Sequence, residues 1–111
     1  MSSVVKIYEK QRLFFNSNKT KSVGFRKRKL IELKNTLINK ESDILSAINK
    51  DLGKHYYESY LTEYFMIISE IKKTIKNINF WTRPQRVKPS ILNFPSRDYL
   101  LSDPYGCTLQ I

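Results

Sequence analysis

Between Gly53 and Pro84 the chain carries Tyr57, Leu61, Tyr64, Ile68, Ile71, Ile75, Ile78 and Trp81, apolar residues separated by alternating fours and threes. That interval keeps them on one side of an α-helix and excludes a strand, whose side chains alternate between faces. A second row, Tyr60, Phe65 and Ile67, widens the stripe until more than one side of the helix needs cover. The spacing predicts a helix from about Tyr56 to Thr82. Pro84 ends it, because proline cannot continue a helix interior and pushes Arg83 toward extended backbone. Gly53 precedes it, at the place where the previous helix would end in a left-handed residue that glycine adopts without steric cost. Glu58 then sits near the positive end of the new helix dipole.

The segment feeding that joint is also helical. From about Val23 to Leu52 the residues Leu30, Leu33, Leu37, Ile44, Leu45, Ile48 and Leu52 recur at threes and fours, with Ser22 placed as an N-cap. The polar run from Asn39 to Ser42 interrupts the stripe, and Ser42 is placed to cap a second start. Upstream, Val4, Tyr8, Gln11 and Phe15 share a face of a short helix over 3–16, followed by a polar connector. Residues 83–95 hold Pro84, Pro89 and Pro95 with Arg83, Arg86 and Lys88, and Arg97 follows. They read as an extended, non-helical basic linker. Asp98 to Leu101 reads as a strand, Asp103-Pro104-Tyr105-Gly106 as a turn, and Cys107 to Ile111 as a second strand. The expected fold class is therefore mainly α with a C-terminal β-hairpin. Two strands alone are marginal, so the hairpin calls for a further partner.

A chain of 111 residues, 41% hydrophobic and 13% aromatic, has a folding composition but only a thin core. Twenty Lys and Arg against ten Asp and Glu give a net charge of +10, which suits a nucleic acid, an anionic membrane or an acidic partner. Arg26-Lys27-Arg28-Lys29 is the densest run. It admits a stand-alone basic module for nucleic acid or another polyanion, although no zinc spacing, helix-turn-helix or aromatic RNA-binding motif accompanies it, and a solvated helix face explains it more simply. One cysteine, Cys107, leaves no intramolecular disulfide to form and suits a reducing compartment. No apolar run approaches a membrane span and no signal-peptide core opens the chain, so the expected location is cytoplasmic.

Candidate chemistry is sparse. His55 is the only histidine, and a metal site or a Cys107–His55 nucleophilic pair is a poor reading of two residues so far apart in the chain. Gly24, Gly53 and Gly106 are isolated, which leaves no phosphate-cradling loop. Glu63 and Glu70 lie seven apart, on one helical face, without a sign of the pocket that acid–base work requires. These residues assign no catalytic, cofactor-binding or metal position.

The order of short words is more informative. Gln11-Arg12-Leu13-Phe14-Phe15, Leu30-Ile31-Glu32-Leu33, Lys50-Asp51-Leu52-Gly53-Lys54, Glu58-Ser59-Tyr60-Leu61-Thr62-Glu63, Ser69-Glu70-Ile71, Trp81 and Asp103-Pro104-Tyr105-Gly106 follow one another along nearly the whole chain. Together they resemble the N-terminal region of the aldehyde dehydrogenase superfamily, in its class 3 or fatty-aldehyde branch. The resemblance implies a helical part of the cofactor-domain region over 1–82, a Pro-rich basic linker over 83–95, and over 96–111 an oligomerisation-arm strand and a first strand leading into the NAD(P)-binding domain. It implies NAD or NADP for a complete enzyme that is a homodimer and oxidises aldehydes to acids. The oxyanion asparagine, nicotinamide-site glycines, base and nucleophilic cysteine of such an enzyme match no position here. On this reading the chain is a fragment, inactive and cofactor-free by itself, whose partner is the remainder of that fold if separately encoded. Cys107 matches an ordinary strand residue. His55 stands where relatives often have a capping serine, which weakens the start of the third helix.

Overall fold

The computed structural model describes residues 3–108. Helix α1 spans Ser3–Asn16, α2 Val23–Asn39, α3 Glu41–Leu52 and α4 Tyr56–Ser59; a π-helical segment, Tyr60–Tyr64, joins α4 directly to α5, Phe65–Trp81. Strands β1, Gln85–Val87, and β2, Asp98–Leu100, pair antiparallel with Gln85 opposite Leu100 and Val87 opposite Asp98. Mainly helical with a hairpin toward the C-terminal end, the fold has the expected class.

Local chemistry explains the boundaries. The Ser22 hydroxyl accepts the Phe25 N–H at 3.3 Å and caps α2. The interruption near residue 40 is a true break, but Lys40 and not Ser42 occupies the N-cap of α3, and it caps without its side chain. Glu41 and Asp43 fill the first turn there and favour the helix dipole instead. Gly53 closes α3 with φ of 64°, its N–H bonded to the Asn49 carbonyl. His55 caps α4, its ring nitrogen accepting the Tyr57 N–H at 3.4 Å, so the substitution of histidine for serine keeps a cap, though a long one.

The strand expectation needs correction. The Pro-rich stretch supplies β1 and a 3₁₀ turn, Ile91–Asn93, and is not uniformly extended. β2 pairs with β1 rather than with the segment from Cys107; residues 107 and 108 are not strand, and 109–111 lie outside the described residues. Proline at 84 and 89 brackets a three-residue strand in which every backbone N–H is retained, so the prolines bound β1 without entering it.

Two compact units divide the chain. Residues 3–25 with 79–108 form one, Arg26–Ile78 the other. In the second, Leu45, Tyr64 and Ile68 form a buried cluster with Leu37, Ile44 and Tyr60 packed on it, and Ile71 and Ile78 are buried as well. In the first, no described residue is buried. Within it, the Phe14 and Phe25 rings lie 5.9 Å apart, Lys21 reaches Asp103 at 3.7 Å, and Ser96 bonds Asp98 at 2.9 Å.

Candidate functional site

The π-helical segment decides what the long helix presents. A π turn accommodates one extra residue, and one residue rotates an α-helix by about 100°. Tyr57 and Leu61 are therefore out of phase with Ile68, Ile71 and Ile78, and both are exposed. The buried row is continued upstream by Tyr64, a member of the predicted stripe, and by half-buried Tyr60 from the second row. Ser59, fully buried, sits where the phase changes, and its hydroxyl finds no partner among the described residues.

An aromatic array and a carboxylate anchor this region. Tyr56 stacks on Tyr60 at 6.3 Å, and Tyr60 meets Tyr64 at 5.5 Å and Phe65 at 6.3 Å. The Tyr56 hydroxyl donates to Glu41 at 3.3 Å, tying the start of α4 to the start of α3. Burial raises the Tyr56 and Tyr64 phenol pKa values, and the Glu41 carboxylate reinforces both shifts. Lys54, just after Gly53, and Glu63 in the π segment meet at 2.6 Å, half-buried; the hydrogen bond to Glu63 holds the ammonium above its usual range. Sequence reasoning missed this array. Tyr56, Tyr60 and Tyr64 do recur at fours, and that spacing was the available signal.

The candidate reactive groups do not converge. Glu63 is committed to Lys54, and Glu70 lies 3.6 Å from Lys73, so the two carboxylates have separate lysine partners. The His55 ring is used in its cap and stacks on Tyr57 at 5.7 Å. Half-buried Cys107 lines a cavity of about 300 Å³ with Tyr8, Arg12, Phe15, Asn16, Tyr105, Gly106 and Thr108; this lining has no histidine or carboxylate to serve as base. No cluster of three metal-ligating side chains occurs among the described residues. In the basic run, Arg26 and Lys27 are half-buried, Arg28 and Lys29 are exposed, and Lys29 bonds Glu32 at 2.6 Å.

What remains is apolar surface. On α5 and the π segment, Leu61, Phe65, Met66 and Ile67 are exposed together. A groove of about 300 Å³ beside them is lined by Leu30, Met66, Ile67, Ile71, Glu70 and Thr74. Covering each such large side chain would contribute about 1.5–3 kcal/mol, and a contiguous patch of this kind marks an interaction face. The widened stripe read from the sequence is present, and this chain leaves its outer row uncovered.

No family model matches the chain. Among curated proteins it is 38% identical to a 4,4'-diaponeurosporen-aldehyde dehydrogenase of Staphylococcus aureus over 96% of this chain, and 33% identical to an aldehyde dehydrogenase of family 3 from Dictyostelium discoideum over 88%. A dog aldehyde dehydrogenase, described as dimeric and NADP-preferring, matches at 29% over the full chain. The chain spans only 23%, 21% and 24% of the lengths of these three relatives. Among solved structures, the substrate-bound state of Staphylococcus aureus AldH superposes with a TM-score of 0.89 and 34% identity, over 95% of this chain and 23% of that one. The chain belongs to the class 3 aldehyde dehydrogenases and has the sequence and fold of their N-terminal region.

Proposed function

We propose that this chain serves as the N-terminal helical segment of an NAD(P)-dependent aldehyde dehydrogenase, whose complete form oxidises an aldehyde to a carboxylic acid. The observation that carries the reading is the uncovered row of Leu61, Phe65, Met66 and Ile67 on a segment that superposes on under a quarter of an aldehyde dehydrogenase. In the complete enzyme that row packs on the cofactor domain. The helices 1–82, the linker 83–95 and the strand region 96–111 keep the roles that the family resemblance gives them. A homodimer in the cytoplasm is the expected assembly, since one relative is described as dimeric.

The residues present do not fit a dinucleotide. The groove beside Met66 and Ile67 is almost wholly apolar, and the cavity beside Cys107 offers one cation, Arg12, without a carboxylate to receive a ribose hydroxyl. Cofactor binding and the chemistry at cysteine therefore fall to the remainder of the enzyme. The test is an aldehyde oxidation assay with NAD and NADP on the purified 111-residue chain, alone and with the remainder of the enzyme supplied separately. Activity is expected only in the reconstituted sample; turnover by the chain alone that Cys107→Ser abolishes would overturn the proposal.

A further inference from the structure

In the unit made from the two ends of the chain, one cation lines a cavity that holds no counter-ion for it. Arg12, on α1, faces the space of about 300 Å³ between that helix and residues 105–108. Asn16 and Thr108 add an amide and a hydroxyl to the lining, and Tyr8, Phe15 and Tyr105 give it aromatic walls. Glu9 stands one turn before Arg12 at a spacing that suits an ion pair, yet the two do not pair. Arg12 makes no ion pair at all among the described residues. The unit's other carboxylates are engaged elsewhere: Asp103 meets Lys21 at 3.7 Å, and Asp98 accepts a hydrogen bond from Ser96 at 2.9 Å. Nine Lys and Arg stand against three Asp and Glu in the unit Met1–Phe25 with Asn79–Ile111, so its own acids cannot answer its cations.

We infer that this cavity is a socket for an aspartate or glutamate side chain of the enzyme's remainder, with the Arg12 guanidinium as counter-ion and Asn16 and Thr108 as further donors. The inference rests on the reading of the chain as the N-terminal segment of a larger enzyme. It adds a polar contact in the unit that lacks the Met66–Ile67 row. Three physical terms select a carboxylate. A guanidinium presents planar pairs of N–H donors that match the two oxygens of a carboxylate. Arg12, Asn16 and Thr108 all have an N–H or O–H to give, and an ionised carboxylate accepts from each of them. An apolar side chain would fill the same space but strand the guanidinium and the amide without partners, at the full cost of their lost hydration. The aromatic walls flank the pair with surface of low polarity, where its attraction exceeds that in water.

The test adds the full chain to the remainder of Staphylococcus aureus AldH, expressed without its matching segment, and follows association by titration calorimetry. Arg12→Gln should weaken association at least roughly tenfold, the scale of one lost charged hydrogen bond. Arg12→Glu should weaken it further, by repulsion. Lys10→Gln, at an exposed cation of the same helix outside the cavity lining, should bind as the parent does. A covered pair is screened much less than a surface pair, so the Arg12→Gln deficit should persist between about 0.1 M and about 1 M salt. In an Arg12→Lys chain, carbodiimide coupling should join position 12 to one carboxylate of the remainder, located by mass spectrometry. A parent chain that does not associate sinks the reading of the chain as a segment, and the inference with it. Association that Arg12→Gln weakens no more than Lys10→Gln does overturns the inference alone. So does a deficit that vanishes at high salt, which would make Arg12 one surface charge among nine. Coupling from position 12 that is absent, or spread over several carboxylates, overturns it as well.

Discussion

The unit Arg26–Ile78 and the unit formed by the two ends of the chain are built from similar residues and reach opposite results. Both contain amphipathic helix with basic flanks, yet every buried residue of the described chain lies in the first of these and none in the second. The difference is one of geometry. In the buried unit, α3 folds back through Gly53 onto α4 and the π segment, so that Leu45, Tyr64 and Ile68 meet. In the other, α1 and a two-stranded hairpin have no third layer, and a single helix face or a lone hairpin cannot bury its apolar side. Hydrophobic composition allows a core, while chain reversal makes one.

Paired substitutions can break that contrast. Ile68→Ala removes a methylene-rich side chain from the cluster and should cost about 2–5 kcal/mol, toward the lower end because so thin a core can relax. Leu13→Ala, on the exposed face of α1, should change stability by less than about 0.5 kcal/mol. Urea denaturation followed by circular dichroism compares them, and equal effects would abolish the distinction between the units. Next in size is Gly53→Ala. A Cβ there meets nothing within 4 Å, so its cost of about 1–2 kcal/mol is the left-handed backbone alone.

Alkali should weaken the cored unit selectively. Lys54 titrates above its ordinary 10.5 because Glu63 holds the ammonium form in the folded chain. Its stabilisation is complete below 10.5 and is lost as pH rises through the higher folded value. Tyr56 and Tyr64 act in the same direction: unfolding releases phenols that ionise at their ordinary 10.0 while the folded state retains the protons. Melting temperature should therefore fall above about pH 10, and Glu63→Gln should flatten part of that fall. A pH-independent melt from neutrality to strong alkali would contradict the assignment. The smallest effect belongs to His55. Its 3.4 Å cap is long, so His55→Ala should cost about 0.5 kcal/mol, and His55→Ser, with a hydroxyl suited to the position, should recover that and slightly more.

Helix limits were legible in the sequence where short-range chemistry sets them. Ser22, the break before Glu41, the left-handed Gly53 and the stop before Pro84 are all written in residues adjacent to the boundary they make. The partner of β2 was not, because strand pairing joins residues distant in the chain and three residues between prolines carry no alternation to read. The register of the long helix was legible only on one side of the π segment. Ile68, Ile71 and Ile78 keep the predicted stripe downstream, whereas Tyr57 and Leu61 leave it for solvent upstream; Trp81, the last residue of α5, is exposed at the helix end. The exposed apolar row of the candidate site was foreseeable as a surplus: the stripe is wider than the rest of the chain can cover.

That π segment has a mechanical consequence. A regular helix is a single-sided gear, whose teeth engage one neighbour along its length. Between Tyr60 and Tyr64 the gear is cut and rejoined a fraction of a turn later. One continuous rod can then mesh with α3 through its upstream tyrosines and turn Phe65, Met66 and Ile67 toward a different body downstream. Deleting one residue within the segment would restore the plain gear and make those two engagements compete for one side of the same shaft.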